Sequence, residues 1–346
     1  MQRGFDLPHR ARRHGSIPIV SSAGVTDYHN ASMVDPPGVV TGRYGTIGEL
    51  FFVDEPFWPL NTTLYVRDFH GNDPLFVYYH LQRFDFTTFS VKSGVPGVNR
   101  NDLHAEAVAL PVDIEEQRAI ATALSDVDGL LDGLDRLIAK KRDLKQAAMQ
   151  QLLTGEARLP GFQGEWDVKL LGDVAEIVMG QSPSSSNYNS SGMGLPLIQG
   201  NADIDNRKTI KRIFTTQITK RGKCGDVLMS VRAPVGEVAR AVFDVCLGRG
   251  VCAIRCDSSF LYHSLVYLEP TWAKHSKGST FDSVNSADVK ALELPVPTSH
   301  TEQNAIAEVL TDMDEELAAL EQRRDKTLAL KQAMMQELLT GRTRLV

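Results

Sequence analysis

The chain has 346 residues, 42% of them hydrophobic and 23% charged, with a formal net charge of −6. That length and apolar content support two or three domains with real cores and exclude a disordered chain. No run of about 18 uninterrupted apolar residues occurs, which excludes a membrane-spanning helix, and the net acidity confines any nucleic-acid binding to local basic patches.

The opening stretch MQRGFDLPHRARRHG has a positive start but no apolar segment behind it. It does not read as a signal peptide, and a cytoplasmic location is expected. Short β-branched and aromatic runs follow, such as IPIV (Ile17 to Val20) and GVVTGRYGTIGELFFV (Gly38 to Val53), broken by turn residues; they predict strands and hairpins. Asp35-Pro36-Pro37 approaches the D-P-P-aromatic motif of amino-group methyltransferases, but Gly38 takes the aromatic's place and no F-x-G-x-G precedes it, so it reads as a turn. The run from Gly42 to Gly48 lacks the lysine of a phosphate-binding loop and reads as a hairpin. LFVYYHLQRF (Leu75 to Phe84) predicts a helix.

From Leu110 a Pro-containing lead-in, an acidic first turn (Glu115, Glu116), many helix formers and a Thr154-Gly155 stop predict one long helix. About forty residues would span on the order of 60 Å. Leu124, Val127, Leu131, Leu134 and Ile138 recur at three-four spacing along it. Gly129 and Gly133 each cost about 1 kcal/mol in a helix, but at this spacing they would let a second backbone come close.

The stretch from residue 162 begins FQGEWDVKLLGDVAEIVMG, passes a Ser-rich segment and the strand LPLI (Leu195 to Ile198), and carries the basic runs RKTIKR (Arg207 to Arg212) and KRGK (Lys220 to Lys223). Residues 162–293 have a net charge of +1, against −2 for 1–109, −2 for 110–161 and −3 for 294–346. Cys224, Cys246, Cys252 and Cys256 match neither a paired zinc spacing nor a secreted disulfide framework and read as free thiols, with His263 a packed histidine. SFLYHSLVYL (Ser259 to Leu268) predicts a helix, and from Leu294 a second lead-in opens a second long helix with Glu302 in its first turn, a stripe of Leu310, Met313, Leu317 and Leu320, and a Thr340-Gly341 stop.

The two long helices repeat one another. KQAAMQQLLTGEARL (Lys145 to Leu159) returns as KQAMMQELLTGRTRL (Lys331 to Leu345), and from Gln117 and Gln303 onwards about half of the aligned positions are identical, far above chance. A lone helix of this length cannot bury its stripe, whereas two copies can pair. The expected architecture is therefore α+β: mixed α/β domains at 1–109 and 162–293, separated by two long helices within 110–161 and 294–346. The helices are expected to pair as an antiparallel coiled coil about a pseudo-twofold, with Val127 to Ile138 facing Met313 to Leu320.

These features resemble the specificity subunit of type I restriction–modification enzymes over nearly the whole chain. The marks are the two Glu-Gln-x-x-Ile-Ala-x-x-Leu helix starts, the two Leu-Leu-Thr-Gly-x-x-Arg-Leu ends and the segment FQGEWDVKLLGDVAEIVMGQSPSS. The resemblance implies that each α/β domain is a target-recognition domain reading one half of a split site on double-stranded DNA. It implies that the helices set the spacing and dock two copies of a methyltransferase subunit, which a restriction/translocase subunit joins. The chain itself would then be non-catalytic, with no cofactor and no metal.

Within that frame the first candidates for DNA contact are Arg43, with Tyr44 beside it, and Arg232, both at tight turns from which a guanidinium can fork onto phosphate or a guanine edge. Lys92 and Lys277 sit at similar positions and suit phosphate anchoring. Asn201, Arg207 and Lys208 follow the LPLI strand on a loop able to enter a groove. One departure stands out: the W-x-x-x-x-L-G-x-V strand that precedes LPLI has no counterpart before IPIV. It raises a second reading, an assembly protein whose first recognition domain has an incomplete core and which reads only one half-site.

Overall fold

The structure, a computed structural model, describes residues 1–89, 97–256, 258–276 and 283–345. It divides into two units, Met1–Arg136 with Glu321–Val346, and Leu137–Leu320. Each unit contains one α/β domain, the first half of the long helix that follows it in sequence, and the second half of the other long helix.

In the first unit, strands Gln2–Arg3, Thr63–Tyr65, Gly38–Gly42 and Leu50–Val53 form a four-stranded sheet in that order. A three-stranded sheet orders Gly24–His29, Ile17–Ser21 and Trp58–Pro59, the last two running parallel. The helix Pro74–Leu81 starts where Asp73 accepts from the N–H of Phe76 and a proline sits in its first turn, two signals that favour a helix start. Val20, Val40, Phe57 and Leu64 are fully buried in the core of this domain.

The second unit repeats this plan with more strands. Leu195–Ile198 runs parallel to Val245–Leu247 within a five-stranded sheet, and in a six-stranded sheet Val227–Ser230 and Val251–Arg255 are paired interior strands. The equivalence reaches single hydrogen bonds: the N–H of Leu60 donates to the carbonyl of Val20 at 2.8 Å, and that of Gly248 to the carbonyl of Ile198 at 2.7 Å. Asn99 caps the short helix Arg100–Ala105, and Asn285 caps Ser286–Lys290 through a capping box with Asp288. One difference remains at the lead-in to the helices. Trp166–Leu170 pairs antiparallel with Glu293–Pro297, burying Leu294 and Val296, whereas among the described residues no strand pairs with residues 106–112, and Val112 is fully exposed.

The long helices span Ile114–Leu153 and His300–Leu338. In the first unit Phe76, Ile120, Ala121, Leu124, Leu338 and Leu339 are buried in one cluster; in the second, Phe260, Ile306, Ala307, Leu310, Leu152 and Leu153 are buried together. The helix residues of the second set are the repeat mates of those in the first, 186 positions away. Each helix start is thus buried between its own domain and the end of the other helix. The polar contacts repeat as well. Arg344 grips Glu116 through two hydrogen bonds of 2.5 Å, as Arg158 grips Glu302 at 2.5 and 2.6 Å. Gln117 donates to the carbonyl of Pro111, and Gln303 to that of Pro297.

Two further ion pairs in each unit fix the register. Asp128 lies 2.6 Å from Lys331 and Asp135 3.8 Å from Arg324 in the first; Lys141 lies 2.7 Å from Glu316, and Lys145 pairs with Asp314, in the second. Rising numbers on one helix meet falling numbers on the other, so the pairing is antiparallel. The register differs from the expected one: residues 128–135 face 324–331 rather than 313–320. A three-four stripe shows which face is buried but not which rung it meets, and here the Glu116–Arg344 clamp and the ion pairs choose the rung. Gly129 and Gly133 admit no close backbone either, since an added Cβ at either would meet nothing within 4 Å.

Candidate nucleic-acid interface

In the first unit the strand Gly38–Gly42 delivers Arg43 and Tyr44 to a turn where Gly45 and Gly48 take left-handed backbone angles of +80° and +94°. The amides of Arg43 and Tyr44 donate to the carbonyl of Thr62, at 2.8 and 3.1 Å, which holds the turn against the neighbouring strand. The Arg43 guanidinium lies over the Tyr44 ring, 4.6 Å from its centroid. A stacked guanidinium of this kind keeps its donors in one plane for phosphate or base. Tyr44 bridges to Gly97 and the N–H of Val98 donates to the carbonyl of Arg43; in the second unit Arg232 bridges to Ser283 and the N–H of Val284 donates to Val231. Arg232 therefore matches Tyr44 rather than Arg43. The two arginines share a turn but stand one residue apart, and in an extended segment one step turns the side chain to the opposite face.

The second unit brings Arg232 and Asn201 together. They line one cleft of about 330 Å³ with Gln199, Asp203 and Arg212, at the exit of the strand Leu195–Ile198. Asp203 is buried; it accepts from the N–H of Gln199 at 2.8 Å and from Arg212 at 3.4 Å. Sequence reasoning meets Arg212 only as the end of a basic run and misses Gln199. Gln199 follows LPLI directly, and its value as a pointer was hidden by the more conspicuous basic run downstream.

That basic run is largely spent within the fold. Arg207 and Asn206 form the two-residue turn of a hairpin, both with positive φ, and the Arg207 guanidinium is bidentate on Glu269 at 2.6 and 2.8 Å. Lys211 covers the ring of Phe243, and Arg221 pairs with Asp244 at 2.7 Å. Lys208, on the returning strand, is exposed. Arg207 thus orders the hairpin that presents Lys208. Lys92 and Lys277 lie outside the described residues.

The strongest pKa displacements fall away from this cleft. Burial lowers both His80 and His263 to about 4 and pushes the Cys252 thiol up to about 12. Among the described residues no group of three His, Cys, Asp or Glu side chains is placed to hold a metal ion, and no helix is long and apolar enough to cross a membrane.

Two α/β domains built on one plan, each joined to half of an antiparallel helix pair and each presenting an arginine at the same turn, define a protein with two related recognition surfaces. The chain belongs to the type I restriction modification DNA specificity domain family, whose profile matches residues 10–140 and 163–330. A Methanocaldococcus jannaschii protein assigned as the MjaX specificity subunit of a type I restriction enzyme is 30% identical over 293 residues, 79% of this chain and 68% of that one. The MjaVIII specificity subunit of the same organism is 23% identical over 308 residues, covering 79% and 71%. A chain from a solved type I R-M system is 29% identical with a TM-score of 0.57, covering 89% of this chain and 83% of that chain. The S subunit of a type I restriction-modification system from M. genitalium, at 16% identity, shares the fold with a TM-score of 0.71, covering 97% and 92%. The first matched segment spans most of the first domain, so the reading in which that domain is defective is not favoured.

Proposed function

We propose that this non-catalytic specificity subunit reads a bipartite DNA site, one half with the domain at 1–109 and the other with the domain at 162–293. The helical segments within 110–161 and 294–346 set the gap between the halves and dock two methyltransferase subunits, which a restriction/translocase subunit joins in the cytoplasm. The observation that carries this reading is the repetition of the helix clamp, Glu116 with Arg344 and Glu302 with Arg158, because two equivalent clamps provide two equivalent docking surfaces. The reading is tested by co-purifying the chain with its modification subunit and mapping methylated sites. One specificity chain with two modification chains and a motif of two half-sequences around a fixed gap is expected. A continuous motif would contradict it.

We further propose that Arg43, Tyr44, Asn201, Lys208 and Arg232 touch DNA, with Lys92 and Lys277 as phosphate anchors, and that Arg207 acts by ordering its hairpin. Arg43→Ala should weaken binding of the assembled complex to its site by about 1–3 kcal/mol if the guanidinium forks onto a base, and should relax one position of the first half-sequence. If it touches phosphate, affinity should fall evenly across sequences and the salt dependence should flatten. Titration of specific and scrambled duplexes at two salt concentrations separates these results, and unchanged affinity in both would remove Arg43 from the interface.

A further inference from the structure

We infer that Gln199 reads a base in the half-site held by the second domain, and that adenine is the base its carboxamide fits. The inference rests on the reading of the chain as a specificity subunit and adds to it one residue and one base.

The argument begins with the repeat. The strands Ile17–Ser21 and Leu195–Ile198 occupy the same place in their domains, each parallel to one neighbour, with the carbonyls of Val20 and Ile198 accepting equivalent hydrogen bonds. The next residue is Ser21 in one domain and Gln199 in the other. The Ser21 hydroxyl is turned back on its own loop, donating to the carbonyl of Gly24 and accepting from the N–H of Ala23. Gln199 extends a carboxamide at an exposed position in the cleft that also holds Asn201 and Arg232. A frame conserved to the hydrogen bond with different chemistry at its exit is what two domains reading different half-sequences require.

Gln199 is also held in a way that a solvated glutamine does not need. Its N–H is fixed by the buried Asp203 carboxylate, and its Nε2 donates to the Tyr188 hydroxyl at 2.8 Å. Gly248 and Gly250 press on it from behind: a Cβ at Gly250 would run into the Gln199 carbonyl, and one at Gly248 would crowd its Cα and Cγ. Among the described residues, one N–H and Oε1 of the carboxamide have no partner. That donor and acceptor complement N7 and the N6 amino group of adenine, whereas phosphate offers acceptors only and would leave Oε1 without a partner. Arg232, at the turn that lines the same cleft, supplies the positive charge that brings the backbone close.

The test uses the chain assembled with its modification subunits and maps methylated sites for the parent, Gln199→Ser and Gln199→Glu. Gln199→Ser, which installs the first domain's residue, is expected to leave the gap and the first half-sequence unchanged and to lower discrimination at one position of the second half-sequence by about 5- to 150-fold. Gln199→Glu keeps the size but only accepts, and should shift the same position towards cytosine, whose N4 amino group donates. A motif unchanged in both variants would overturn the inference, as would an equal loss of methylation at every site with the motif intact, which would make Gln199 a positioning residue. A parent map lacking two half-sequences would overturn the specificity reading itself, and would do so before any substitution was compared.

Discussion

Leu124→Ala and Leu310→Ala should each destabilise the chain by about 2–5 kcal/mol, the range for truncating a fully buried leucine that leaves a cavity. The two residues are repeat mates, neither has any exposed surface, and each sits where a helix start, an aromatic of the adjacent domain (Phe76 or Phe260) and the end of the other helix meet. A loss of this size is a large share of a domain's typical stability, so expression and recovery should fall as well. Because the buried helix residues around the two leucines are repeat mates, the two losses should agree within about 1 kcal/mol, and chemical denaturation measures both. A loss below about 1 kcal/mol at either position would mean that the helix start is not packed there.

Acidification should weaken both units between about pH 6.5 and pH 4. His80 is buried against Phe76 and Phe84 with neither ring nitrogen hydrogen-bonded, and its burial first, then Arg83, holds it at about 4. His263 is buried with Nε2 beside the Thr311 hydroxyl at 3.1 Å; burial lowers it to about 4, with Asp314 opposing and Lys145 and Arg240 adding to the shift. The ordinary histidine pKa is about 6.5. The unfolded chain therefore takes up a proton at each site that the folded chain refuses, and the associated stability is complete above pH 6.5 and lost as pH falls towards 4. Each site contributes about 3 kcal/mol at most, since its pKa falls from about 6.5 to about 4. His80→Phe, which keeps the ring stack and removes the unpaired nitrogens, should flatten its share of this slope and raise stability at pH 5. A slope unchanged in both His80→Phe and His263→Gln would show that neither histidine is held neutral.

Much of this arrangement is legible in the sequence because periodicity and repetition act locally. The acidic first turns and Thr-Gly stops bracket helices at Ile114–Leu153 and His300–Leu338, and the stripe containing Leu124 and Leu310 marks the buried face. What escaped depends on pairing across sequence distance. The rung at which the helices meet is set by Asp128 with Lys331 and Asp314 with Lys145, contacts that no single-helix pattern reveals. The offset between Arg43 and Arg232 became visible only through the bridges Tyr44–Gly97 and Arg232–Ser283. Arg207 read as a free cation because Glu269, its partner, lies on a helix 62 residues later.

The most direct test of the central claim, that the helix pair holds two reading domains at a set spacing, is a methylation map after matched insertions. The repeat relation and the antiparallel register coincide between Arg136 and Leu137 on one helix and between Gln322 and Arg323 on the other. Four residues added at both points lengthen each helix by about 6 Å, close to two base pairs, with a rotation only about 40° beyond a full turn. In the assembled methyltransferase both half-sequences should persist while the gap between them grows by about two base pairs. Altered half-sequences around an unchanged gap would contradict the account.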